Sequence, residues 1–242
     1  MPRVAVIIST WIGNPADYIL NLMKSMTRYD ACAPFGLYLC ANGESYRLPP
    51  GLQGRFTDVF IRENTGYNLG AWEHSWRKLP EYDDYLFMQD DCFIKKKAWL
   101  RDFMACFHSK RRYGLIGECL HKSWNRPWPE LTGQQIKTNT RHRISENKES
   151  RARYYRDVLK SWGIPEGKKA DHLTSVVHFT SRAILERVGG YTIADNYQEA
   201  IAAEIAYNNC VFTGCKVISR NIIYTRPPTR VMFKSGAYLF SI

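Results

Sequence analysis

The sequence predicts an α/β fold with a mostly parallel central sheet flanked by helices. Three observations carry this. Arg3 to Ser9 (RVAVIIS) is an unbroken β-branched run, which marks a central parallel strand buried on both faces. Strand-like and helix-like segments then alternate, with turn residues at each strand's end. Polar residues gather at those ends: Thr10-Trp11, Asn42, Glu63-Asn64 and Asp90-Asp91. Sheets of this kind bind ligands at the carboxyl ends of their strands.

The elements follow in order. After the first strand, Thr10 to Pro15 is a polar turn, and Asn14 is expected to cap a helix with Pro15 at its first position. That helix runs to about Met26, with Ile19, Leu22, Met23 and Met26 on one face. Phe35 to Ala41 and Thr57 to Arg62 read as the next strands, separated by a Pro/Gly loop from Leu48 to Gly54. Asn64, Gly66, Asn68 and Gly70 punctuate the approach to a helix from about Leu69 to Leu79. Glycines there let backbone N–H groups approach an anion at the positive helix end.

Tyr85 to Met88 is an apolar aromatic run that stops at two carboxylates, Asp90 and Asp91. It reads as a buried strand. Acidic residues rarely sit at such a place unless they meet a cation or a partner. Hard oxygen ligands suit Mg²⁺ or Mn²⁺, which hold phosphates more than they fill protein cages. A pair of Asp residues also suits a turn cap, and this stretch alone leaves both readings open.

Lys95 to Lys97 reads as the solvated start of a helix from Ala98 to His108, whose stripe of Trp99, Phe103 and Phe107 is packing. Tyr113 to Glu118 is a short strand. An irregular basic insertion follows at about residues 121–169, nearly devoid of core residues. It holds one helical stretch, about Glu149 to Trp162, with Tyr155, Val158, Leu159 and Trp162 on one face. Long insertions of this kind serve as lids or binding loops, or are solvated, and its Trp and Arg residues suit stacking on a sugar. Leu173 to Thr180 is a strand; Ser181 caps a helix that ends at Gly189-Gly190; Tyr197 to Asn208 is a further helix carrying Glu199 and Glu204. Lys216 to Tyr224 supplies final strands before a basic aromatic tail.

Composition narrows the function classes. The net charge of +11 favours anionic partners. Yet no nucleic-acid module is recognisable, and the charge lies in the insertion and tail, so a nucleic-acid partner is not expected. The seven cysteines form no CxxC pair, which argues against a zinc site and for a reducing compartment. The N-terminus lacks a signal-peptide pattern, and no apolar run approaches the ~20 residues of a membrane span. The expectation is one soluble, cytoplasmic domain over residues 1–242, with a peripheral membrane contact left open.

Taken together, VAVIIST, NTGYNLGA, FMQDD, HFTSRAILERVGGY and QEAIAAEIAYNNCVFTGCKV resemble the plan of nucleotide-sugar glycosyltransferases of the GT-A fold, most like the inverting family 2 group. The resemblance covers about Val4 to Lys216. It implies a single Rossmann-like GT-A domain that uses Mn²⁺ or Mg²⁺ to hold a nucleoside diphosphate sugar, UDP-sugar favoured, and transfers the sugar to a glycan or other acceptor. The DxD motif of such enzymes maps onto Gln89-Asp90-Asp91. Asp91 takes the metal position, Asp90 becomes an auxiliary ligand, and Gln89 replaces the first acid. Thr10 and Trp11 match the loop that lines the base. Asn42 stands in for a base-reading Asp, because Ala41 occupies the usual place. Asn64, Gly66 and Asn68 match the segment bordering ribose and diphosphate. Glu199 matches the catalytic base, with Glu204 in reserve, and no late His follows His178 to add a metal ligand. The competing readings are a sugar nucleotidyltransferase, whose Gly-rich Arg-containing first loop TWIGNPADY lacks, and an inactive GT-A-like sugar-nucleotide binder, which the Gln89 departure would suit.

Overall fold

The computed structural model describes residues 3–109, 114–117, 124, 126–132, 151–194, 196 and 199–212. Its elements are β1 (Val4–Trp11), α1 (Ala16–Arg28), β2 (Gly36–Asn42), β3 (Asp58–Arg62), α2 (Tyr67–Lys78), β4 (Asp84–Gln89), α3 (Trp99–His108), β5 (Ile116–Gly117), α4 (Trp128–Thr132), α5 (Arg151–Ser161), β6 (Val177–Ser181), α6 (Arg182–Val188) and α7 (Ala200–Phe212). The expected final strands from Lys216 and the tail lie outside the described residues.

Six strands form one sheet in the order β3-β2-β1-β4-β6-β5. The first four pair in parallel, whereas β6 runs antiparallel to both β4 and β5. The expected mostly parallel α/β sheet is therefore present. The alternation of side chains along a strand sorts the core into two layers. Val4, Val6 and Ile8 of β1 pack with Leu22 and Met23 of α1 and Trp99 and Phe103 of α3. Ala5 and Ile7 pack on the opposite face with Trp72 and Trp76 of α2 and Tyr207 of α7. A strand covered on both faces must be apolar throughout, and β1 is buried from Val4 to Thr10.

The chain leaves β1 toward β2 and β3, then returns to place β4 on β1's other side. That reversal makes the carboxyl ends of β1 and β4 the switch point of the sheet, where a crevice opens.

Two local expectations are corrected. Asn14 does not cap α1; Pro15 occupies the cap position without a side-chain bond, and the Asn14 Nδ2 donates to the buried carboxylate of Asp90. The insertion is not devoid of a core. Trp124, Trp128 and Leu131 pack with Ala152, Tyr155, Val158 and Leu159 of α5 and with Ala202, Ile205 and Ala206 of α7. By contrast, the cap at Ser181 is as expected: its side chain accepts from the Ile184 N–H, and α6 ends at Gly189 in the left-handed region.

Candidate functional site

The site builds outward from the turn that ends β4. Asp90 and Asp91 are each only 3% exposed. The Asp90 N–H donates to the Ser9 carbonyl, which ties the turn to the end of β1. The Asp90 carboxylate accepts from Thr10 Oγ1 at 2.5 Å and from Asn14 Nδ2 at 3.0 and 3.1 Å. Tyr46, in the loop after β2, lies close enough to Thr10 and Asp90 for both to act on its hydroxyl, whose proton affinity burial raises. Burial pushes the Asp90 carboxyl up to about 7; the bonds from Thr10 and Asn14 oppose that push, and the neighbouring Asp91 charge adds to it. Asp90 thus spans the switch point and locks β1 to β4.

Gln89 lies on the other side of the turn. Its backbone N–H donates to the Val176 carbonyl at 3.0 Å, and its Nε2 donates to the Ser175 carbonyl at 2.6 Å. Ser175 is gripped from behind by α7: Glu204 Oε1 accepts from the Ser175 N–H at 2.7 Å and from its Oγ at 2.5 Å. Glu204 Oε2 stands 3.4 Å from Nε2 of buried His172. Burial works to raise the Glu204 proton affinity, yet the His172 and Ser175 contacts outweigh it and hold the carboxyl below its usual range. Glu204, with a side chain only 13% exposed, therefore faces inward as a carboxylate.

The third group borders the first two. Asn42 is 2% exposed, and both ends of its amide are engaged. Oδ1 accepts from Arg62 Nη1 at 2.6 Å, and Nδ2 donates to the Tyr67 carbonyl at 3.1 Å. Arg62 Nη2 also holds the Thr65 carbonyl. Asn42 thereby shapes the 64–68 turn from below. Gly66 caps α2 at φ +70°, and Tyr67 follows at φ +53°. The start of a helix presents backbone N–H groups and a partial positive charge, which suits an anion. Asn68 Oδ1 accepts from Ser9 Oγ, which in turn accepts from Trp72 Nε1. Asn64 is exposed on the turn. Helix α2 begins at Tyr67, two residues before the expected start at about Leu69, so Asn68 lies inside it along with Gly70.

Trp11 and Ile12, at the carboxyl end of β1, are exposed large apolar residues, 49% and 45% exposed. The Trp11 ring covers Gly13, where an added Cβ would meet it at 2.3 Å. Glu199 stands at the head of α7 on the insertion side. Its N–H donates to Asn196, and its Oε1 accepts from Tyr154 on α5 at 3.4 Å.

Among the described residues, no group of three or more His, Cys, Asp and Glu is arranged to hold a metal. A divalent ion that also binds phosphates needs only one or two protein carboxylates. Two adjacent buried carboxylates, one of them held up to about 7 by burial and its neighbour's charge, fit such an ion and not a closed protein cage. Sequence reasoning singled out Asp90, Asp91, Asn42, Asn68 and Gln89 but missed Asn14, Arg62, Tyr46 and Ser175. Asn14 and Tyr46 sit in turns whose composition reads as ordinary loop, and Ser175 looks like a strand residue.

The overall fold has parallels among solved structures. The mannosyltransferase PcManGT from Pyrobaculum calidifontis, in complex with GDP-Man and Mn²⁺, superposes with a TM-score of 0.54 at 14% identity over 91% of this chain. S. aureus TarS 1–349 superposes with a TM-score of 0.52 in complex with UDP, at 13% identity over 96% of this chain. Its complex with UDP-GlcNAc gives 0.50 at 14% identity over 98%. The fold is the one that these structures share. The chain spans 55% of the mannosyltransferase chain and 62% of the TarS chain. No family model matches the sequence, and no curated protein matches it.

Proposed function

We propose that the chain is an inverting, metal-dependent glycosyltransferase of the GT-A type, taking a sugar from a nucleoside diphosphate sugar to a hydroxyl of a glycan or glycoconjugate. The observation that carries this reading is the buried Asp90-Asp91 turn at the switch point of a sheet with the nucleotide-sugar glycosyltransferase fold. The bound GDP-Man, UDP-GlcNAc and UDP of the similar structures support a nucleotide-sugar donor, and the Mn²⁺ in one of them supports a divalent ion.

In this reading Asp91 holds Mn²⁺ or Mg²⁺ with Asp90 beside it. The ion, when bound, neutralises the charge that builds on the departing diphosphate. Trp11 and Thr10 flank the base, and the head of α2 with Gly66 and Asn68 borders the ribose and diphosphate. Asn42 shapes that border through Arg62 and the Tyr67 carbonyl without itself facing the donor. Glu199 is the base. It takes the acceptor's hydroxyl proton as that oxygen bonds to C1 of the sugar, and the C1–O bond to the nucleoside diphosphate breaks on the opposite face, giving inversion. Glu204 is set aside as a base because its carboxylate is turned to Ser175 and His172.

Calorimetric titration with UDP, GDP and TDP, each with and without Mn²⁺, tests the donor site. Metal-dependent binding of one nucleotide, lost in Asp91→Ala, is the expected result; no binding to any of the three would remove the reading's basis beyond fold. Glu199→Gln should lower turnover by ~10²–10⁴-fold while leaving donor affinity unchanged.

A further inference from the structure

The Gln89 departure from a two-acid motif has a structural counterpart in the geometry around it. The turn carrying Asp90 and Asp91 is held along one flank by the segment that leads into β6. Gln89 N–H bonds to the Val176 carbonyl and Gln89 Nε2 to the Ser175 carbonyl. Cys92 Sγ approaches the Val176 carbonyl at 3.7 Å. Only a donor can meet the Ser175 carbonyl at 2.6 Å, and the amide of Gln89 supplies one. An acid in its place would set a carboxylate oxygen against a carbonyl oxygen, with repulsion where there is now a bond.

The β6 approach is in turn held by one face of α7. Glu204 accepts two bonds from Ser175. Asn208, one helical turn on, accepts from the Leu173 N–H at 3.0 Å and donates to the Leu173 carbonyl at 3.2 Å. Asn208 is fully buried and α7 is apolar around them, so these two polar side chains cannot relax into water. A largely buried carboxylate and a buried amide at (i, i+4) thus grip residues 173–175 and leave the Ser175 carbonyl facing Gln89.

We infer that Glu204 is a positioning residue for the donor-site carboxylates, acting through Ser175 on Gln89, and that Gln89 is required as an amide donor and does not stand for a lost metal ligand. The inference rests on the donor-site reading above. It reverses what the family motif suggests: restoring an acid at position 89 weakens metal-nucleotide binding. Nucleotide binding that needs no metal is left unchanged, since the base and ribose borders are built from other elements.

The experiment compares wild type, Gln89→Glu, Gln89→Met, Glu204→Met and the Gln89→Met/Glu204→Met double variant. The nucleotide that wild type binds is titrated with and without Mn²⁺, and amide exchange across residues 88–92 is followed in the ligand-free, metal-free protein. Gln89→Met removes the donor without adding charge and serves where Gln89→Glu fails to fold. The expected result is a loss of about 10- to 100-fold in Mn²⁺-dependent affinity in each single variant, with metal-free affinity retained and exchange across 88–92 accelerated. The double variant should lose no more than the worse single one, because both act through Ser175. Gln89→Glu binding Mn²⁺-nucleotide as tightly as wild type or tighter would overturn the inference and leave the donor site standing. Additive losses in the double variant would overturn the route through Ser175. A wild type that binds no nucleotide would overturn both the donor-site reading and the role assigned here.

Discussion

His178 lies at the centre of an aromatic cage. Its ring packs against Trp72 at 5.1 Å and stacks on Tyr191 and Tyr207 at 6.0 Å, with no exposure to solvent. Burial draws its proton affinity down to about 4 from 6.5. The native state therefore binds fewer protons than the unfolded chain between about pH 4 and 6.5. The resulting stability is fully present above 6.5 and is lost as pH falls through about 4. Its size is about 3 kcal/mol at most. Asp90 acts in the opposite sense, since its raised proton affinity favours the native state at low pH and that gain is lost as pH rises through about 7. The total curve is thus flatter than either contribution. Urea unfolding of wild type and His178→Phe across pH 4 to 7 separates the two. The difference in stability should stay constant above about pH 6.5 and change toward low pH in favour of the variant. A difference that does not change with pH would mean that His178 is protonated as easily in the native state as in the unfolded one.

At the scale of elements, the turn before α2 shows what a glycine does there. A Cβ on Gly70 would come within 2.0 Å of the Thr65 carbonyl oxygen, so helix and turn meet only because that atom is missing. Thr65 is also held by Arg62, and Tyr67 keeps its positive φ under the hold of Asn42. Gly70→Ala must therefore move backbone and not merely a flexible side chain. We expect it to cost about 1–3 kcal/mol of stability and to weaken nucleotide binding, readable together by denaturation and calorimetry. Full nucleotide affinity in this variant would detach the turn from the donor site. The glycines were visible in the sequence as punctuation, but the role of Gly70 was not, because the atom that excludes a side chain there comes from a neighbouring segment. Ser181 was legible for the opposite reason: a cap is decided within four residues of chain, and it bonds to Ile184 as its position implies. Asn14 had the same local credentials, but Pro15 takes the cap position, and the Asn14 Nδ2 donates to Asp90, a partner far away in sequence that no local pattern reveals.

Across the whole molecule, α7 is the joint. Ala203 and Tyr207 face the sheet layer that holds Trp72 and Phe87, while Ala202, Ile205 and Ala206 face the insertion's cluster around Tyr155 and Leu159. A helix between two apolar layers needs no solvated polar face, so its sequence, AIAAEIAYNNCVF, shows no period that would point to one core or the other. The sheet was readable because its strands are continuous apolar runs. The insertion was not, because its core residues are spread over Trp124, Trp128 and α5 and become a cluster only when α7 closes them. The two descriptions of the insertion predict different energetics. Leu159 is fully buried in the cluster. If the insertion is docked as packed, Leu159→Ala should destabilise the fold by about 2–5 kcal/mol, and as one cooperative transition with the sheet, since α7 is common to both layers. A solvated segment would give a change within about 0.5 kcal/mol. The same substitution should also lower turnover, because α5 carries the Tyr154 hydroxyl that meets Glu199 at the head of α7. Donor affinity, which the proposed function assigns to β1, β4 and α2, should hold. Denaturation, calorimetry and transfer assays on one variant thus distinguish an insertion that holds the base in place from one that merely covers the surface.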